Sequence, residues 1–164
     1  AQIAKAEGAK VIVTGTNADT ERLETARKLG VDYTVNVQTE DLRKLVDELT
    51  GGYGVDVVLE CSGAEAGVRT GLDMIRKRGW FCQIGLTGKP IVFDIETICY
   101  KELHFSGSMA SRSLNWEKGI KLVQAGLVQL APLATHHLPL DDWEKAFEMF
   151  REKKGLKLIL KTDE

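Results

Sequence analysis

Three times between residues 11 and 84 a short β-rich run gives way to a helical pattern and then to another short run. The first run, 11–14, leads into Leu23, Ala26 and Leu29, spaced for one helix face, with Asp19 or Thr20 able to cap the helix and Gly30 to stop it. A second run at 33–37 precedes Leu42, Leu45, Val46 and Leu49, a helix that ends at "TGGYG". A third, 55–59, is almost wholly apolar, as expected of a strand covered on both faces. It is followed by a helix over about 65–76 and a strand over 80–84 that stops at Gly85. Strand–helix–strand repeated in this way predicts an α/β fold, a parallel sheet joined by crossover helices. Residues 1–8 read as the end of a helix closed by Gly8.

After Gly88 the rhythm changes. Residues 91–99 are apolar but for Asp94 and Glu96 near their middle, and 103–106 is another short strand. Helices over about 114–126 and 141–153 flank "APLATHHLPL", and a last strand, 156–160, follows. The chain shows no repeat, low-complexity tract or linker.

A length of 164 residues with 43% hydrophobic and 28% charged residues suits one soluble domain. A net charge of −2 supplies no basic field for a nucleic-acid partner. No apolar run is long enough to cross a membrane, and "AQIAKAEGAK" lacks a signal-peptide core. Cys61, Cys82 and Cys99 lie far apart in apolar runs and read as reduced, buried thiols of a cytoplasmic protein.

In open parallel sheets, ligands bind at the carboxyl ends of the strands. Those ends read Thr14-Gly15-Thr16, Glu60-Cys61-Ser62-Gly63, Ile84-Gly85-Leu86 and Ser106-Gly107-Ser108. A glycine at one such end is explained by the turn alone. Small residues at four ends suit a nucleotide lying across the strand tips.

"GVDVVLECSGAEAGVRTGLDMIRKRGWFCQIGL", "KELHFSGSM" and "PLATHHLPLDDWEKAFEMFREKKGLKLILK" together make the chain resemble the medium-chain zinc-dependent dehydrogenases, nearest their polyol and L-threonine branches. The resemblance runs from Ala1 to Lys161. It implies a Rossmann-type doubly wound parallel sheet that lacks its first strand and Gly-x-Gly-x-x-Gly turn, because this chain begins at the helix that follows them. The loss of that central strand would leave the strands at 11–14 and 55–59 with unpaired inner edges. On this reading residues 1–130 are an incomplete dinucleotide-binding domain. Residues 131–164 are a tail returning toward a catalytic domain outside the chain, which would hold the zinc and the substrate pocket. The implied activity of the parent is hydride transfer between a secondary alcohol, a polyol or 3-hydroxy amino acid, and NAD or NADP, with this part alone inactive. The alternatives are a truncated, non-catalytic nucleotide-binding or oligomerisation module, and a zinc-independent quinone or enoyl reductase of the same superfamily.

The tip of the first visible strand is where such folds read the adenosine ribose. An acid there selects NAD, and NADP sites replace it with a small residue and a cation. Sorbitol dehydrogenases carry Asp at the place of Gly15. Gly15, with Thr16 and Asn17 as hydrogen-bonding neighbours and Arg22 as the nearest cation, therefore favours NADP. In the other direction, the longer loop leaves Asp19 or Glu21 able to take over the ribose.

The resemblance also matches Lys157 to a basic position that reaches the cofactor pyrophosphate, and places Arg112 in a loop near the nicotinamide. His104, His136 and His137, like the cysteines, show no close metal-ligand spacing and read as core or structural residues. Glu60, Glu65 and Asp73 lack a visible partner and read as solvated or capping acids. In 89–108, Ile91, Val92, Phe93, Ile95 and Ile98 form an apolar cluster at a sheet edge. The family pairs this segment across a two-fold axis, which implies a homodimer or tetramer.

Overall fold

The computed structural model describes residues 1–162. The chain forms two compact units, one of residues 1–40 with 112–164 and the other of residues 41–111. Its elements are α1 (Gln2–Ala6), β1 (Ile12–Gly15), α2 (Thr20–Lys28), β2 (Tyr33–Asn36), α3 (Leu42–Thr50), β3 (Val55–Glu60) and α4 (Glu65–Met74). These are followed by β4 (Ile75–Gln83), α5 (Glu96–Tyr100), β5 (His104–Gly107), α6 (Ser113–Gln124), β6 (Ala134–Pro139), α7 (Trp143–Arg151) and β7 (Lys157–Lys161). Every strand pair is parallel: β1 with β2, β3 with β4, β4 with β5, and β6 with β7. The fold is α/β, as the alternation predicts.

In the first unit, β1 pairs only with β2 among the described residues. The start of β1 is pinned by Asp32, whose carboxylate accepts from the Val11 N–H at 2.7 Å and pairs with Lys5 of α1 at 2.9 Å. Leu23, Val31 and Val35 are buried. The strand β6 is not evident in "APLATHHLPL", whose two prolines and two histidines hide any alternation. It exists because its backbone pairs with β7 from Ala134↔Lys157 to Pro139↔Lys161.

In the second unit the sheet order is β3-β4-β5, so the outer edge of β3 carries no strand among the described residues. The cross-strand rungs are Val57–Trp80–His104, Val58–Phe81–Phe105, Leu59–Cys82–Ser106 and Glu60–Gln83–Gly107. Side chains alternate across a sheet. One face therefore packs Val58 and Phe81 against Val68 and Leu72 of α4, with Phe81 fully buried. The other face exposes Val57 (53%), Leu59 (52%) and Trp80 (55%), on which His104 stacks at 4.3 Å. The expectation of a third strand covered on both faces is thus corrected. Its apolar character shows that it can be covered, but within this unit only one face is.

Four further expectations are revised. The strand after α4 begins at Ile75 rather than 80, because Val55 pairs with Ile75 before the register shifts and resumes at Val57↔Trp80. The shift is taken up around Arg78, which has a positive φ of 58° and donates its N–H to the Lys101 carbonyl at 2.7 Å. The thiols are unpaired, but Cys61 and Cys99 are exposed and Cys82 is half-buried, since Cys82 lies on the open face and Cys61 beyond the strand end. The edge cluster of 91–98 divides as well: Ile91, Phe93 and Ile98 pack on the core of their own unit, and Val92 and Ile95 point outward. His104 is likewise exposed on the open sheet face, not a core residue.

α3 shows how local signals close a helix. The Asp41 carboxylate accepts the Lys44 N–H at 3.0 Å, and Gly51 ends the helix in the left-handed region at φ 62°. No described helix is long and apolar enough to cross a membrane.

Candidate cofactor-binding site

Each unit presents strand tips, and at one tip in each a carboxylate ties the following turn together. In the first unit the turn after β1 is closed by Asp19. Its Oδ2 accepts both the Thr16 N–H (3.0 Å) and the Thr16 hydroxyl (2.8 Å), and its Oδ1 accepts from Arg22 at 3.3 Å. Asp19 stands at the start of α2 but turns back to the strand tip instead of capping the helix. Burial opposes its ionisation, yet the Thr16 hydrogen bonds and the charges of Arg22 and Lys153 hold its carboxyl below the usual range.

Gly15 is accounted for by this packing. A Cβ there would lie 2.9 Å from the Asp19 Cβ and 3.3 Å from Leu23. Asn17 is held by Gln38, which accepts its N–H at 2.8 Å, and by Asn36, which donates to its side chain at 2.6 Å. Arg22 also donates to the carbonyls of Lys153 (3.3 Å) and Gly155 (3.1 Å). Beside it opens a cleft of about 310 Å³, lined in part by Asn17, Thr20, Arg22, Thr135 and Lys153. Lys157 is exposed on β7, and Arg112 is exposed just before α6. The structure thus brings Gly15, Thr16, Asn17 and Arg22 around Asp19.

In the second unit the organiser is Glu60, which is neither solvated nor without partners: only 5% of it is exposed. Its Oε1 accepts the Ser62 N–H (2.9 Å) and the Ser62 hydroxyl, and its Oε2 accepts the Gly63 N–H (2.9 Å) and the Gln83 amide (2.7 Å). All four acceptor positions of the carboxylate are used. Burial raises its pKa, but the Ser62, Gly63 and Gln83 hydrogen bonds outweigh that and bring it below the ordinary value. The Glu60 carbonyl in turn accepts the N–H groups of Ile84 (2.8 Å) and Gly85 (2.9 Å), so one residue holds both tip loops.

Those loops lie backbone to backbone. A Cβ on Gly63, whose φ is 68°, would lie 2.2 Å from the Leu86 carbonyl oxygen, and one on Gly85 would lie 2.1 Å from the Gly63 nitrogen. Here the two glycines are required by close approach. Cys61, Ser62, Ile84, Leu86, Ser106, Gly107 and Ser108 are exposed along the same tips. Although exposed, Cys61 is partly desolvated at the strand end, and this with the neighbouring Glu60 charge pushes its thiol up, which makes it a weak nucleophile. Glu65 and Asp73 are surface groups: Glu65 pairs with Arg69 at 2.9 Å, and Asp73 lends its carbonyl to Lys101 and Arg43. His136 accepts or shares a hydrogen bond with Thr135 at 3.0 Å.

The reading of Glu60 as a solvated or capping acid without a partner is corrected by its burial and four hydrogen bonds; an acid at the end of an apolar run, just before Cys-Ser-Gly, was the visible signal. Sequence reasoning passed over Gly67, where a Cβ would meet the Glu60 Oε1 at 2.8 Å, and over Lys153.

Parallel strands with intervening helices and small residues at their carboxyl tips define a Rossmann-type α/β protein. Residues 1–125 match the family described as zinc-binding dehydrogenase, and the chain belongs to that family. It is 40% identical over 161 residues to a sorbitol dehydrogenase of Halalkalibacterium halodurans, covering 98% of this chain and 47% of that protein. It is 37% identical over 160 residues to an L-threonine 3-dehydrogenase of Bacillus velezensis, covering 96% and 46%. Alcohol dehydrogenase TADH from Thermus sp. ATN1 superposes with a TM-score of 0.86 at 29% identity, covering 99% of this chain and 48% of that one. The chain spans about half the length of the relatives it matches.

The family implies NAD(P) and zinc. The donor set at the β1 tip is compatible with such a group: Asp19 offers an ionised acceptor beside Asn17 and Arg22. The 164 residues contain no Gly-x-Gly-x-x-Gly turn to hold the pyrophosphate. No cluster of three or more His, Cys, Asp or Glu suited to a metal occurs among the described residues.

Proposed function

We propose that this chain holds and orients the cofactor of an oxidoreductase that moves a hydride between a secondary alcohol and NAD(P). The observation that supports this best is the match along nearly the whole chain to proteins named for a polyol and for a 3-hydroxy amino acid, at 40% and 37% identity. The nicotinamide supplies hydride acceptance. This chain's own part is to position the cofactor, with the Asp19 turn meeting its adenosine ribose. Lys157 supplies a cation for the pyrophosphate, and Arg112 one toward the nicotinamide. The substrate pocket and the zinc ligands belong to another part of the protein, so the 164 residues alone bind cofactor without turning substrate over. Residues 1–130 carry the cofactor, and 131–164 form the tail that returns toward that other part.

The same reading places the contact between two copies at residues 89–108, where Val92, Ile95, Tyr100 and Phe105 are exposed and β5 is a sheet edge. Phe93 serves its own unit's core, so Val92→Lys is the substitution that tests association by light scattering.

The activity is tested by incubating the intact protein with sorbitol or L-threonine and NAD⁺ or NADP⁺, following the reduced nicotinamide spectroscopically. Reduction with either alcohol supports the reading. Failure of both dinucleotides to bind in calorimetry overturns it.

A further inference from the structure

We propose that Asp19 supplies, from four residues further along the chain, the ribose-reading carboxylate that Gly15 lacks, and that it makes this site selective for NAD over NADP. The inference rests on the dinucleotide reading above and reverses the preference that Gly15 alone suggests.

Space is the first argument. A side chain on residue 15 would begin 2.9 Å from the Asp19 Cβ, so Asp19 fills the volume that an aspartate at position 15 would claim. An acid from further along the chain thus stands at the strand tip.

Acceptor capacity is the second. A carboxylate offers about four acceptor positions. Glu60 uses all of its own within the protein. Asp19 accepts three hydrogen bonds, two on Oδ2 and one long one on Oδ1 at 3.3 Å. Its Oδ1 therefore keeps a position for a ribose hydroxyl, and 20% of the side chain stays exposed.

Charge is the third. A 2′-phosphate needs a cation with donors to spare and no carboxylate facing it. Arg22, the cation nearest in sequence, already donates to the Asp19 carboxylate and to the carbonyls of Lys153 and Gly155. Its charge is matched by Asp19 and three of its N–H interactions are taken up. A ribose hydroxyl gains a charged acceptor at this tip, whereas a phosphate meets a like charge. Lys153, whose charge acts on Asp19 and which lines the cleft beside Arg22, is a second cation that would favour a phosphate.

The experiment is equilibrium binding of NAD⁺ and NADP⁺ to the intact protein by calorimetry, for wild type, Asp19→Asn and Lys153→Ala. The amide of Asp19→Asn still accepts from Thr16, so the loop is kept and the charge removed. Wild type should bind NAD⁺ about ten- to a hundredfold more tightly than NADP⁺, the scale of a hydrogen bond to a charged group. Asp19→Asn should shrink that ratio about tenfold or more, mainly by weakening NAD⁺. Wild-type binding of NADP⁺ as tight as NAD⁺ overturns the inference, as does an equal weakening of both ligands by Asp19→Asn. A loss confined to NADP⁺ in Lys153→Ala, with the ratio unmoved in Asp19→Asn, also overturns it. Each of these leaves the cofactor reading standing. Absence of any dinucleotide binding defeats that reading, and this inference with it.

Discussion

The turns after β1 and β3 solve one problem in two ways. Each strand ends where its backbone groups leave the ladder, and each turn is closed by a carboxylate that gathers nearby N–H and hydroxyl donors. At Glu60 the carboxylate is buried, its partners are all neutral, and no acceptor position remains. At Asp19 the carboxylate is reached by solvent, shares its charge with Arg22, and keeps an acceptor position. A saturated buried acid is scaffold, because nothing further can bind to it. A partly satisfied one at the surface is the kind of group that a ligand can use.

Glycine substitution should separate the two turns most sharply. Gly85→Ala puts a Cβ against the Gly63 backbone, which cannot swing aside. It should cost about 2–4 kcal/mol in urea unfolding. Gly15→Ala meets only the Asp19 and Leu23 side chains and should cost about 1 kcal/mol. Equal losses at the two positions would erase the distinction between a backbone-packed turn and a side-chain-packed one.

Removing the acids should rank next. Glu60→Ala strands buried donors from Ser62, Gly63 and Gln83, at about 1–3 kcal/mol in total once water reaches some of them. Asp19→Ala resembles loss of a helix-terminal cap, about 1 kcal/mol. Chemical denaturation of the two variants side by side measures the order.

Acid pH offers a third comparison. Both carboxyls are held below their ordinary values, so the unfolded chain binds more protons through that range. The stability they contribute is fully present above the unfolded carboxylate values of about 4, and it is lost as pH falls through the lowered folded values. Thermal midpoints measured between neutral pH and about pH 3 should fall on the acid side, and Glu60→Gln and Asp19→Asn should each flatten that fall. An unchanged slope in both variants would disconnect these groups from the acid transition.

The smallest effect belongs to Glu65, a carboxylate at a helix start paired at the surface with Arg69, both side chains about half exposed. Arg69→Ala should leave the thermal midpoint unchanged, because exposed ion pairs are screened and their side chains are costly to hold. A measurable drop would show that exposure is not what separates these acids.

The order of elements was legible in the residues themselves. Period-2 and helical spacing, Gly30 and Gly51 as stops, and apolar runs ending on small residues all act through local backbone physics. They placed β1, β2, β3 and α3 to within a residue or so. The glycines at positions 15, 63 and 85 were legible as strand-tip residues for the same reason. Pairing and burial were decided only in three dimensions. β6 is a strand because β7 lies beside it, and β4 starts early because Val55 meets Ile75. Phe93 is inward and Val92 outward because an extended segment alternates against one particular core. The roles of the acids were hidden for a related reason. Glu60 accepts from Gln83, 23 positions away, and Asp19 occupies the space above Gly15 only after the loop has turned back on its strand. A sequence lists which groups can donate, accept or carry charge, but which of them have spent that capacity on one another depends on distances that only the folded chain sets.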